Sequence, residues 1–330
     1  MEKFKVYRVR EADKKVTAQF EQASVDELDA GDVVIRVAYS SINYKDALAV
    51  TGAGRIIRRF PCVGGIDLSG TVTQSGDARF KKGDAVICTS YDLGVAHDGG
   101  YAEYARVRGD WVVPTPKGLN LFDAMALGTA GYTAALAVVR MQANGLKPDA
   151  GPVIVSGATG GVGSIAIDIL ARLGYRVTAL TGKDSATDYL KRLGAAEVMS
   201  RSSLDLAKIK PLDKTLWAGA VDNLGGDVLA WMVSTMTQGG AIASIGLAAS
   251  MSLNTTVAPF ILRGVSLLGI DSGYTPMPLR QEVWRCLANE MRPPHLAEIT
   301  RTIAFDELPQ AFAGLLQGQA KGRIVVDMAA

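Results

Sequence analysis

The chain has 330 residues, 48% of them hydrophobic and 21% charged, with a formal net charge of +2. That length suits two domains with sizeable cores. A charge so near neutral argues against a nucleic-acid or anionic-membrane partner. Cys62, Cys88 and Cys286 stand far apart and in no C-x-x-C pattern, so neither a disulfide framework nor a zinc knuckle is expected. With only two histidines, His97 and His295, a three-histidine metal site is excluded. The first residues are charged rather than apolar, so no signal peptide is expected and the cytoplasm is the default location.

Residues 1 to about 125 read as short strands separated by glycine turns, the pattern of a barrel-like β domain. The clearest are Val33–Ala38, Leu68–Thr73, the strand after Lys82-Gly-Asp84, and Gly99–Val107. Gly70, inside the second, suggests a bulge or a close backbone approach. The apolar run 124–139 is too short for a membrane span and is broken by Gly128 and Gly131, so it reads as a buried helix.

From about 121 to 272 strands and helices alternate. Strands are expected at 153–156, 176–180, 197–200, 219–222, 241–245 and 265–270, with helices between most of them. Ser185-Ala-Thr-Asp188 reads as a capping box. The expected architecture is α/β, a six-stranded doubly wound sheet. The tail, 273–330, predicts two helices and the strand Arg323–Asp327. It is too small for a core of its own and is expected to return to the first domain.

The central motif is Val153-Ile-Val-Ser-Gly-Ala-Thr-Gly-Gly-Val-Gly-Ser164. A strand enters four glycines within seven positions, and a helix leaves. Glycine lets the backbone turn tightly and approach a ligand. A helix that begins there aims free N–H groups at an anion such as a pyrophosphate. The spacing is G-x-x-G-x-x-G rather than the simple dinucleotide fingerprint, so the strand–turn–helix context carries the reading. About twenty positions on, NAD-binding chains place an acid for the ribose hydroxyl. Here Lys183 stands near that position and no carboxylate ends the second strand. Arg201 ends the next. Both cations suit a 2′-phosphate, so NADP(H) is the expected cofactor. The bland alternative is that both are solvated surface charges.

The chain resembles the zinc-free medium-chain dehydrogenase/reductases of the quinone oxidoreductase group, and most closely the YhdH-type acrylyl-CoA reductases. The resemblance rests on Ser41-Ile-Asn-Tyr-Lys-Asp-Ala-Leu48, Gly64-Gly-Ile-Asp-Leu-Ser-Gly-Thr71, Gly99-Gly-Tyr-Ala-Glu-Tyr104, Gly128-Thr-Ala-Gly-Tyr-Thr133, the glycine motif, Pro259-Phe-Ile-Leu-Arg-Gly264 and Gly269-Ile-Asp-Ser272. It implies a GroES-like β-barrel catalytic domain (1–124), a Rossmann NADP-binding domain (125–272) and a return to the catalytic domain (273–330). Zinc-dependent relatives carry Gly-His-Glu-x-x-Gly. Here Ile66 takes the histidine position and Asn43 the cysteine position, so no metal is expected.

The resemblance implies reduction of a short 2-enoyl-CoA, acryloyl-CoA to propanoyl-CoA, by NADPH. Tyr44 is the implied catalytic residue and also a cofactor contact. Thr159, Gly160, Gly161 and Val162 are implied at the pyrophosphate, and Thr181, Gly182, Lys183 and Arg201 at the adenosine phosphate. Leu247, Ile261 and Ser272 are implied at the nicotinamide half, with Arg323 reaching back from the tail. Lys45 and Asp46 are read only as pinning their loop. Arg55, Arg58 and Arg59 suit coenzyme A phosphates or a solvated loop face equally. Two other readings stay open: an NADPH-dependent quinone or alkenal reductase, and a non-catalytic NADPH-binding redox sensor. A homodimer is implied by resemblance.

Overall fold

The computed structural model describes residues 3–318 and 321–329. In chain order the elements are β1 (Phe4–Ala12), β2 (Lys15–Ala23), β3 (Val33–Ser41), α1 (Tyr44–Thr51), β4 (Cys62–Val63), β5 (Asp67–Ser75), β6 (Ala85–Thr89), β7 (Tyr104–Val107), β8 (Val112–Pro114) and α2 (Leu121–Ala143). There follow β9 (Val153–Val155), α3 (Gly161–Arg172), β10 (Val177–Thr181), α4 (Thr187–Arg192), β11 (Glu197–Ser200), β12 (Trp217–Asp222), α5 (Gly226–Thr235), β13 (Met236–Ser244), α6 (Ala258–Arg263) and β14 (Ser266–Gly269). The tail adds α7 (Met277–Ala288), α8 (Leu296–Ile299), β15 (Thr300–Ala304), α9 (Leu308–Leu316) and β16 (Arg323–Asp327).

The chain divides into two compact units. The first takes residues through Thr129, then Gly273–Ala288, then the chain from Leu296 on; the second takes Ala130–Ser272 and Asn289–His295. The short stretch Asn289–His295 therefore counts with the second unit, whereas the sequence groups it with the returning tail.

The first unit holds a three-stranded sheet ordered β2-β1-β4 and a seven-stranded sheet ordered β15-β16-β3-β5-β6-β8, with β7 also pairing β3. Its core runs from Val9, Ile35 and Leu68 to Phe312 and Val326. Gly70 stands where a Cβ would lie 2.1 Å from the Arg36 carbonyl oxygen, beside a register shift between β3 and β5. The β1–β2 hairpin, which the sequence reading omits, turns at Asp13 and Lys14, both with positive φ. Two left-handed residues make the mirror-image turn that suits twisted strands, here without the glycine that normally signals it.

The second unit is one parallel sheet ordered β11-β10-β9-β12-β13-β14, the doubly wound arrangement expected. Short apolar strands such as Val153–Val155 are wholly buried because helices cover both faces. α3 buries Ile165, Ile169 and Leu170, each worth roughly 2 kcal/mol of transfer free energy. Trp217 and Trp231 pack edge to face at 6.2 Å in the core. The capping box at Ser185 does not form. Residues 184–186 make a single tight turn, and α4 begins after Ala186, which has no capping oxygen.

α2 is interrupted at Gly128, whose φ of 52° breaks the helical run. It is long and apolar enough to cross a membrane, yet 78% of its apolar window is buried inside the protein, as in a core helix.

Candidate active site and glycine cradle

In the first unit, strand register brings three distant residues together. β3 lies between β16 and β5, with Ser41 opposite Val325 and Ser40 opposite Leu68. Ser41 ends β3, Asp67 opens β5 and Arg323 opens β16. Asp67 is fully buried and surrounded by donors. Its Oδ2 accepts from Ser41 Oγ at 2.6 Å, Asn43 Nδ2 at 2.8 Å and the Thr129 N–H at 2.9 Å. Its Oδ1 accepts from the Thr129 hydroxyl. Arg323, 2% exposed, donates to Ser41 Oγ at 2.7 Å, to Asn43 Oδ1, Ile42 O and Ala126 O at 3.1 Å, and to Met125 O at 3.4 Å. Burial lowers the pKa of this guanidinium, and the Asp67 charge opposes that effect.

The kink in α2 exists for this cluster. A Cβ on Gly128 would meet Arg323 Nη2 at 2.5 Å, Asp67 Oδ2 at 2.6 Å and Ser41 Oγ at 2.7 Å. Glycine supplies the room and the positive φ together.

The same cluster anchors α1. Asp46, buried on its first turn, accepts from the Asn43 N–H at 2.8 Å and the Ile66 N–H at 3.0 Å. Burial, then the neighbouring Asp67 charge, pushes the Asp46 carboxyl up to about 7. Tyr44 opens α1 and its side chain is 51% exposed. The ring therefore stands on a turn whose backbone is bolted down by Asp46 and Asn43.

The donor set does not suit a zinc ion. The Asp67 oxygens are already taken by four donors, Asn43 offers an amide bonded to Asp67 and Arg323, and Ile66 offers an alkyl chain. Among the described residues no three His, Cys, Asp or Glu side chains converge as a metal site. Cys62 and Cys88 are buried thiols, and burial pushes both up to about 12, which leaves them unreactive. His97 is a buried loop residue with each ring nitrogen against a backbone carbonyl. Arg58 pairs with Asp92, and Arg59 with Asp29.

Arg323, implied by resemblance to reach back from the tail toward the cofactor, spends its donors on backbone carbonyls, Asn43 and Ser41 inside the first unit, and its side chain is closed to solvent. Asp67, Asn43, Ser41 and Thr129 are the members of this cluster that the sequence reading missed.

The second unit builds the glycine cradle. Gly157 leaves β9 with φ +57°, and Gly160 is the N-cap of α3. A Cβ on Gly163 would lie 2.4 Å from the Gly157 carbonyl oxygen, so the helix packs directly on the turn only because that position is glycine. Thr159 to Val162 thus form the turn and first residues of a twelve-residue helix, whose N–H groups and positive dipole end suit an anion. The Ala158 N–H bonds Leu180 O, tying the turn to β10.

At the end of β10, Thr181 Oγ1 accepts from the Lys183 N–H at 3.0 Å. β11 runs parallel with Ser200 opposite Thr181, so Arg201 emerges beside them. A Cβ on Gly182 would meet Arg201 Nη2 at 3.4 Å, which places the guanidinium over that glycine. The structure therefore brings Thr181, Gly182, Lys183 and Arg201 together. Leu247 and Ile261 are open apolar side chains, 61% and 73% exposed, and Ser272 follows β14 half-buried.

Residues 29–117 match the alcohol dehydrogenase GroES-like domain and residues 161–291 the zinc-binding dehydrogenase domain. The chain belongs to the medium-chain dehydrogenase/reductase family. Within it the chain falls in the zinc-free quinone oxidoreductase group, beside the YhdH-type proteins. It is 45% identical to the acrylyl-CoA reductase AcuI of Ruegeria pomeroyi, over 95% of each chain. It superposes on the yhdH oxidoreductase of Salmonella enterica in complex with NADP with a TM-score of 0.95, at 44% identity over 98% of this chain and 99% of that one. It also matches the Bacillus subtilis protein yhfP with NAD bound, at a TM-score of 0.97 and 47% identity over 99% and 100% of the two chains.

Proposed function

We propose that the chain is an NADPH-dependent, zinc-independent reductase of the carbon–carbon double bond of a short 2-enoyl-CoA, converting acryloyl-CoA to propanoyl-CoA. The observation that carries this is the pair Lys183 and Arg201 at the ends of β10 and β11, on a chain 45% identical to an acrylyl-CoA reductase. The cradle fits a dinucleotide: side chains are excluded at Gly163 and the helix N-terminus is open to a pyrophosphate.

When bound, NADPH supplies the hydride. The chain's own task is to hold the dinucleotide and to meet the charge that builds on the thioester oxygen. Thr159, Gly160, Gly161 and Val162 hold the pyrophosphate. Lys183 and Arg201, with Thr181 and Gly182, hold the 2′-phosphate. Leu247, Ile261 and Ser272 shape the nicotinamide end. Tyr44 is the catalytic residue of this reading, its hydroxyl donating toward the developing enolate oxygen. Asp46, Asn43, Asp67 and Arg323 keep its backbone in place. An assay of NADPH oxidation with acryloyl-CoA tests this, and no turnover would overturn it. The quinone or alkenal reading is separated by running quinones and enoyl-CoA esters side by side.

The same reading includes a cytoplasmic homodimer. β14 ends the parallel sheet, and Met251, Val257 and Leu262 are exposed apolar side chains on the segment leading to it. An uncovered edge strand invites pairing. Light scattering that gives the monomer mass at micromolar concentration would remove the dimer.

A further inference from the structure

We propose that Asn223, together with Ser156 and Asp222, is a positioning residue for the dinucleotide, setting the spacing between the glycine turn and the loop that bears Leu247. The inference rests on the cofactor reading above. β9 and β12 are neighbours at the centre of the parallel sheet, and from them the chain winds outward in opposite directions, to β10 and to β13. Ligands of doubly wound sheets bind at that reversal, beyond the carboxyl ends of the strands. Ser156 and Asp222 stand at those two ends, and both are fully buried.

Ser156 Oγ donates to Asp222 Oδ1 at 2.7 Å and accepts from the Asn223 N–H at 2.9 Å. The Asn223 side chain reaches back, its Nδ2 donating to Ser156 O at 2.7 Å. That carbonyl can only accept, so the amide orientation is fixed. Asp222 takes two further N–H donors, Leu224 at 3.1 Å and Gly225 at 2.8 Å. Asn223 also touches both ligand-bearing loops. A Cβ on Gly157 would meet Asn223 Cβ at 3.1 Å, and one on Gly246 would lie 2.5 Å from Asn223 O. The Ala248 N–H bonds Asn223 O, and the Ile245 and Gly246 N–H groups bond Asp222 O. Asn223 thus joins the ends of β9, β12 and β13, its side chain holding the end of β9 and its backbone carbonyl the loop after β13. A shift there moves the turn that faces the pyrophosphate relative to Leu247, without touching Lys183 or Arg201.

The test measures dissociation constants of NADPH and NADH by fluorescence, with melting temperatures, for the wild type and for Asn223→Ala, Asn223→Ser and Asn223→Asp. Asn223→Ala is expected to weaken both dinucleotides about tenfold, the size of one well-made hydrogen bond. Asn223→Asp sets a carboxylate against the Ser156 carbonyl and is expected to weaken them further. The ratio of the two constants stays at the wild-type value. Folded variants that bind within twofold of wild type overturn the inference, and so does a loss confined to NADPH. If Asn223→Ala does not fold, Asn223→Ser decides. A wild type that binds neither dinucleotide overturns the functional reading itself.

Discussion

The Arg323 guanidinium lies 3.9 Å from the Asp67 carboxylate, and both side chains are closed to solvent. Each is satisfied chiefly by neighbours other than its partner: Asp67 by Ser41, Asn43 and Thr129, Arg323 by carbonyls of α2 and of Ile42. The pair is therefore a desolvated charge couple inside a hydrogen-bond network.

Removing one member leaves the other charge buried. Arg323→Met is expected to cost about 3–5 kcal/mol of stability, the usual cost of breaking a buried pair. Asp67→Asn with Arg323→Met removes both charges and is expected to recover part of that loss. Urea denaturation of the wild type and these two variants checks this. A single variant as stable as wild type would show that the couple contributes nothing.

Asp46 makes stability depend on pH in a set direction. Its folded carboxyl is raised to about 7, above the ordinary value near 4. Between those two values the folded chain keeps a proton that the unfolded chain has released. Stability from this group is full at the acid end and is lost as pH rises to about 7. Asp46→Asn has no such proton, so the stability gap between wild type and variant is expected to shrink from pH 5 to pH 8. Melting curves at the two values measure it. A gap that widens toward pH 8 would contradict the raised value.

The glycine cradle was legible because each signal is local: strand, turn and helix lie within twenty residues, and Lys183 follows at a known interval. The charged cluster was not legible for the opposite reason. Asp67, Asn43, Thr129 and Arg323 gain their meaning only when β3 pairs both β5 and β16. Gly128 read as a mere interruption of an apolar helix, yet it makes room for the guanidinium. The hairpin at Asp13 and Lys14 was missed because its turn uses left-handed residues with side chains in place of glycine.

On the proposed reading, Tyr44 separates chemistry from support. Its hydroxyl is the group assigned to the developing oxyanion, while its backbone is held by Asp46 and Asn43. Tyr44→Phe keeps the ring and the helix start. It is expected to lower kcat with acryloyl-CoA by roughly a hundred- to a thousandfold, the range for losing one such donor. The melting temperature and the KM for NADPH should change little. Steady-state kinetics test it, and an unchanged kcat would move the donor role to another group.

On the proposed reading, the cations beside Gly182 decide which dinucleotide is preferred. Lys183 is half-buried at the end of β10, and the Arg201 guanidinium lies over Gly182. A 2′-phosphate between them would meet two positive groups, whereas β10 ends in Thr181 and not in the carboxylate that holds a bare ribose hydroxyl. The double variant Lys183→Ala, Arg201→Ala is expected to weaken NADPH about a hundredfold and to leave NADH nearly unchanged. Added salt should weaken NADPH more than NADH in the wild type, because the charged contact lies near the surface. NADH is a meaningful control here, since the similar yhfP structure holds NAD. Isothermal titration of both dinucleotides at low and high salt measures these effects. Equal wild-type affinities for NADPH and NADH would show that Lys183 and Arg201 are solvated charges and would remove the cofactor assignment.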